Sequence, residues 1–112
     1  MTDLIHIPFH GTDVLAVDID GKAHVVLKPA FETIGLDADR QIRNVRAQSW
    51  ATTAVTAVVA SDGRTRDMVT ADVRTFLMAL ARIPESRVKE EARPLLVAYQ
   101  AEVADAIEAY WT

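Results

Sequence analysis

At 112 residues, half of them hydrophobic and a quarter charged, the chain has the composition of one folded domain and not of a disordered segment. The absence of cysteine excludes disulfides, thiolate nucleophiles and cysteine metal ligands. A net charge of −4 argues against a broadly basic nucleic-acid binder, and no apolar run reaches the roughly 18 to 20 residues that a membrane-spanning helix needs.

The N-terminal "MTDLIHIPFHG" lacks the basic flank and long apolar stretch of a secretory signal, so a reducing cytoplasm is the expected setting. Its His6 and His10 would share a helix face, but Pro8 between them and Gly11 after them predict an extended or turned segment. With only His24 besides, no metal site is expected.

Next, "VLAVDIDGKAHVVLK" places two β-rich arms around Asp20-Gly21, the dipeptide that suits a type I′ turn. The two-residue period puts Val17 and Ile19, then Val25 and Leu27, on one side. Asp18 and Asp20 read as turn chemistry, not as an acid/base pair. "KPAFETIG" predicts a helix of about two turns, with Pro29 at its start and Gly35 at its C-terminal cap. "LDADRQIRNVRAQ" then starts a second helix at the N-cap Asp37, with Ile42 and Val45 as its apolar edge.

The stretch "WATTAVTAVVASDGRTRDMVT" predicts a second hairpin turning at Ser61-Asp62-Gly63. From Thr70 the period becomes helical, with Val73, Phe76, Leu77, Leu80 and Ile83 as the apolar stripe and Pro84 as the stop. The last stripe is Leu95, Leu96, Tyr99, Val103, Ile107 and Tyr110, with Pro94 in its first turn or at a kink. The expected fold is α+β: two β-hairpins form a small antiparallel sheet, packed with short helices and a longer C-terminal amphipathic helix.

No nucleophile elbow or Gly-rich phosphate loop is present, and no enzyme or cofactor is expected. Arg40, Arg43 and Arg46 lie on one drifting helical face away from Ile42 and Val45. Between Arg40 and Arg74 six arginines face three aspartates, so a basic surface on an acidic body is expected. Gly35 between two short helices invites comparison with a helix–turn–helix, although the flanking elements read as strands. Along the tail, Leu96, Tyr99, Val103, Ile107, Tyr110 and Trp111 could serve self-association as well as the core.

Three stretches together carry a resemblance: "IPFHG", "LKPAFETIGLDADRQIRNVR" and "IPESRVKEEARPLLVAYQAEVADAIEAYW". In this order they resemble the phage antirepressor N-terminal domain, a family related to the BRO N-terminal domain of large DNA viruses. The most specific signals are Arg87-Val88-Lys89, Tyr99-Gln100 and Tyr110-Trp111, then Gly35, Leu36, Asp37 and Gln41. The resemblance implies a small non-enzymatic α+β module. Antirepressors of this kind bind a lysogeny repressor and stop it holding its operator, whereas BRO-type relatives are associated with DNA binding. In the family a C-terminal domain commonly follows. Here the expectation is one antirepressor N-terminal-like domain over residues 1–112.

The leading expectation is a phage or prophage regulatory module that binds a repressor protein through Arg40, Arg43, Arg46, Arg64 and Arg66. The alternative is a DNA-binding module that contacts phosphates through Arg40, Arg43 and Arg46. A second alternative is a homo-oligomerisation module working through the tail stripe.

Overall fold

The computed structural model describes residues 4–9, 12–59 and 62–111. Strand β1 (Ile5–Phe9) pairs with β2 (Thr12–Ile19), which turns into β3 (Lys22–Val26). The chain then leaves the sheet through helices α1 (Leu27–Thr33) and α2 (Ala38–Arg46). It returns as the hairpin β4 (Thr53–Val59) and β5 (Thr65–Asp72). Helix α3 (Val73–Ala81) follows, then two single-turn 3₁₀ helices, Glu85–Arg87 and Glu90–Ala92, and the long α4 (Arg93–Trp111). The sheet is antiparallel in the order β1-β2-β3-β5-β4, so β5 docks the second hairpin onto the first. The expected α+β architecture is the one observed, with β1 added at an edge, where Pro8 costs little because one side of the strand has no neighbour to bond.

The first turn follows its chemistry. Asp20 and Gly21 take φ of 52° and 83°, the positive values of a type I′ turn, and the Asp18 carboxylate accepts the Gly21 N–H at 2.8 Å. Ser61, expected in the second turn, lies outside the described residues, while Gly63 there has φ of 80°.

The predicted facing of the first hairpin is corrected by its register. Ala16 lies opposite Val25 and Val17 opposite His24, so Val17 and Ile19 share a face with Val26, not with Val25. Leu27 has already left the strand for α1. Both faces are apolar here, and the two-residue period alone could not say which residues pair. Val14, Val25 and Ala71 carry the helices, while Val17, Val26 and Val58 form a smaller cluster on the opposite face. That second cluster joins β2 to β4 although two strands separate them, and Asp18–Asp20 line a cavity with Ala54–Ala57. The sheet is therefore coiled enough to close part of its own concave face.

The main core joins all four helices to the sheet through a row of rings. Phe31 and Phe76 lie 6.1 Å apart, and Phe76 and Tyr99 meet edge-on at 5.9 Å. Helix α3 starts later than the period predicts, because β5 runs to Asp72 and Asp72 itself caps the helix through the Thr75 N–H at 2.8 Å. Val73, expected on the apolar stripe, is consequently 41 % exposed, whereas Phe76, Leu80 and Ile83 are buried. The buried Thr75 hydroxyl also accepts the Thr52 N–H at 2.9 Å, tying the start of β4 to α3. Pro94 sits in the first turn of α4 and makes no kink, since the helix begins only at Arg93.

Candidate functional site

Helix α2 is held in place by chemistry at both of its neighbours' ends. Helix α1 closes with the Gly35 N–H on the Glu32 carbonyl and the Leu36 N–H on the Phe31 carbonyl, a Schellman pair that needs the positive φ of 76° at Gly35. A β-carbon at position 35 would also lie 2.9 Å from Lys89 Cγ, so the turn packs against the segment before α4. Asp37 then caps α2, its carboxylate accepting the Arg40 N–H at 3.2 Å. Ala38 and Val45 are buried and Ile42 is half-buried. The opposite side of the helix must therefore face outward.

Arg40, Arg43 and Arg46 are all exposed, as their spacing implies, and spread over an arc of roughly 120°. None of the three makes an ion pair among the described residues. Arg43 and Arg46 stand in the last turn of α2, where a cation also complements the helix dipole.

Two cavities flank the helix, and they differ chemically. On the β5 side, Arg43 and Asp39 line a cavity of about 440 Å³ with Lys28, Arg66 and Asp67. It lies along the part of β5 that β3 does not pair, since β3 reaches only Thr70–Asp72. Arg43 and Arg66 are thus brought to one place, yet Arg66 is tied to Asp62 at 2.7 Å. Arg64 is exposed near the hairpin turn, and its N–H donates to the other Asp62 oxygen at 3.0 Å. That backbone hydrogen bond, with the Arg66 guanidinium, holds the Asp62 carboxyl below its ordinary value despite partial desolvation.

On the other side, Gln41 and Asn44 of α2, with Gln48 just past its end, line a cavity of about 470 Å³ together with Arg82 and Arg87. Among the described residues no carboxylate lines it. Neither these amides nor Arg82 and Arg87 were singled out in the sequence as a binding site: Gln41 and Asn44 are about one helical turn apart, but the segment after α3 is brought across only by the fold.

The tail stripe divides. Leu96 and Tyr99, read as serving self-association as well as the core, are buried in the core beside α3. The side chains of Val103, Ile107, Tyr110 and Trp111 lie outside the described residues. His10 also lies outside them, and His6 of β1 sits 3.5 Å from Asp13 of β2, both exposed. Among the described residues no three His, Asp or Glu side chains gather as metal ligands, and no helix is long and apolar enough to cross a membrane.

The family model described as the P22_AR N-terminal domain matches residues 5–112, and the chain belongs to that family. Membership gives it a phage antirepressor-like regulatory role. No curated protein and no solved structure matches the chain.

Proposed function

Starting from that membership, we propose that the chain binds a transcriptional repressor in the cytoplasm and relieves repression by stoichiometric association, without catalysis. The observation that carries this reading is the outward row Arg40, Arg43 and Arg46, unpaired among the described residues, on a chain of net charge −4. Guanidinium forks match carboxylates in two parallel hydrogen bonds, so an acidic protein surface is a natural counterpart. Binding that favours a DNA-free form of the repressor lowers the population able to occupy its operator.

The test is isothermal titration of the purified domain with repressors encoded beside its gene. Micromolar or tighter binding is expected, weakened roughly tenfold or more by Arg40→Glu with Arg43→Glu. Absence of binding to any of them overturns the reading.

One observation favours a second reading, direct DNA binding. Helices α1 and α2 are joined by the tight turn at Gly35, and α2 carries outward arginines with amides on its flank. This reading predicts affinity for a labelled duplex that falls by about 0.9 log unit per log unit of salt for each phosphate neutralised. The acidic body opposes it, and fluorescence anisotropy across a salt series decides.

A further inference from the structure

The groove between α2 and the segment following α3 differs from the arginine row in being walled, preformed and free of negative side chains. From its lining we infer that it is a carboxylate-binding slot that seats an acidic segment of the protein partner. The inference rests on the repressor-binding reading for the partner's identity, but the slot itself stands on the chemistry of its walls.

One wall is α2 and the turn after it, anchored by the buried Val45, with Gln41, Asn44 and Gln48 lining the groove. Gln48 is itself steadied, its side-chain amide donating to the Asn44 carbonyl at 3.2 Å. The other wall carries Arg82 and Arg87 and is fixed from behind by α4. Gln100 donates to the carbonyls of Leu80 and Ile83, both at 3.0 Å, and so holds the end of α3. The Arg93 guanidinium donates to the carbonyls of Glu85 and Val88, at 3.1 and 3.2 Å, and so holds the turn that bears Arg87. Arg82 lies over the Trp50 ring at 5.7 Å, which limits how far it can swing. The contacts of Gln48 and Arg82, and the fixed backbone on either side of Arg87, reduce the entropy cost that mobile surface side chains incur on binding.

Electrostatics selects the occupant. The lining has two formal positive charges and no negative one, within a chain of net −4. The C-terminal ends of α2 and α3 approach the groove, but each contributes at most about half a negative charge, spread and screened. The two guanidiniums therefore dominate. Amide side chains can donate to a carboxylate or meet a peptide backbone, and so suit an acidic polypeptide. A nucleic acid is a long polyanion that must continue over a chain of net charge −4, whereas a short acidic segment need cover only the groove.

The experiment is a two-dimensional NMR titration of the whole chain, with isotope-labelled side-chain amides and guanidiniums. The probes are a blocked tetraglutamate peptide, blocked tetraglutamine and a short oligothymidylate. Tetraglutamate should shift the side-chain signals of Gln41, Asn44, Gln48, Arg82 and Arg87 saturably, and tetraglutamine should not. Arg87→Gln, and separately Arg82→Gln with Arg87→Gln, should weaken this binding roughly tenfold. Arg87→Gln spares the Trp50 contact and so guards against a loss caused by misfolding, which thermal melting checks. Shifts confined to Arg40, Arg43 and Arg46, an equal response to tetraglutamine, or tighter binding of oligothymidylate would each overturn the slot. The same variants separate the two readings. A repressor that binds wild type and the double variant alike removes the slot and leaves repressor binding intact. Groove shifts with no repressor bound remove repressor binding and leave the slot.

Discussion

The two flanks of α2 carry similar numbers of basic groups and opposite degrees of neutralisation. Toward β5, Arg43, Lys28 and Arg66 share their cavity with Asp39 and Asp67, and Arg66 is paired with Asp62. Toward the end of α3, Arg82 and Arg87 face only amides and apolar groups. Charge density in the sequence is therefore a poor guide to open charge. Arg66 lies near Asp62 in sequence and folds back on it. Arg82 and Arg87 are on a wall where, among the described residues, no carboxylate joins the lining. The lesson is that a basic site is found by asking which cations the fold leaves unanswered.

The sharpest way to break this comparison is to loosen the wall of the carboxylate-free flank. Gln100→Leu removes the donor to two carbonyls at the end of α3, and should cost about 2 kcal/mol by urea denaturation. It should also broaden the NMR signals of Arg82 and Arg87 while sparing those of Arg66. Gly35→Ala acts on both flanks by re-aiming α2. The left-handed backbone and the Lys89 contact should together cost about 1 to 2 kcal/mol, measured in the same way.

Asp72 bears on the groove through α3, whose N-terminus it caps. Burial pushes its carboxyl up, but hydrogen bonds from the Thr75 side chain and N–H, with the charges of His24 and Arg74, outweigh that and hold it below the ordinary aspartate value. A depressed value means that the cap's stabilisation is complete above the unfolded-state pKa and is lost as pH falls through the lower folded one. Asp72→Ala should therefore cost about 1 kcal/mol at neutral pH, and the gap from wild type should close in that acidic window. The smallest effect belongs to the neutralised flank. Asp62→Asn breaks an exposed pair and should leave the thermal midpoint unchanged, while Arg66 becomes free to answer an acidic probe. A large loss of stability there would show that the hairpin pair does more than mask charge.

Local chemistry was readable wherever neighbours in sequence decide the outcome. The Asp20-Gly21 turn, the Gly35 cap, the Asp37 cap and the outward arginines of α2 all depend on groups within about one helical turn. Partner choice across the fold was not readable. Val17 joined Val26 instead of Val25 because strand register is set by the turn and the docked β5, with both faces apolar. Val73 left the core because Asp72 continued as strand and moved the start of α3. Leu96 and Tyr99 became core residues because α3 packs directly over them.

What the sequence by itself determined, then, is the order of the strands and α-helices from β2 onward, the α+β class, the family and the exposure of Arg40, Arg43 and Arg46. These rest on periodicity, caps and turns, whose energies act over a few residues. Only the tertiary structure decided which charges remain open. Through Gln100 and Arg93 it carried Arg82 and Arg87 to the amides on and just after α2, whereas the Asp62–Arg66 pair formed within a single hairpin turn. Coulomb energy depends on distance in space and on what stands between two groups, and neither is written in their spacing along the chain.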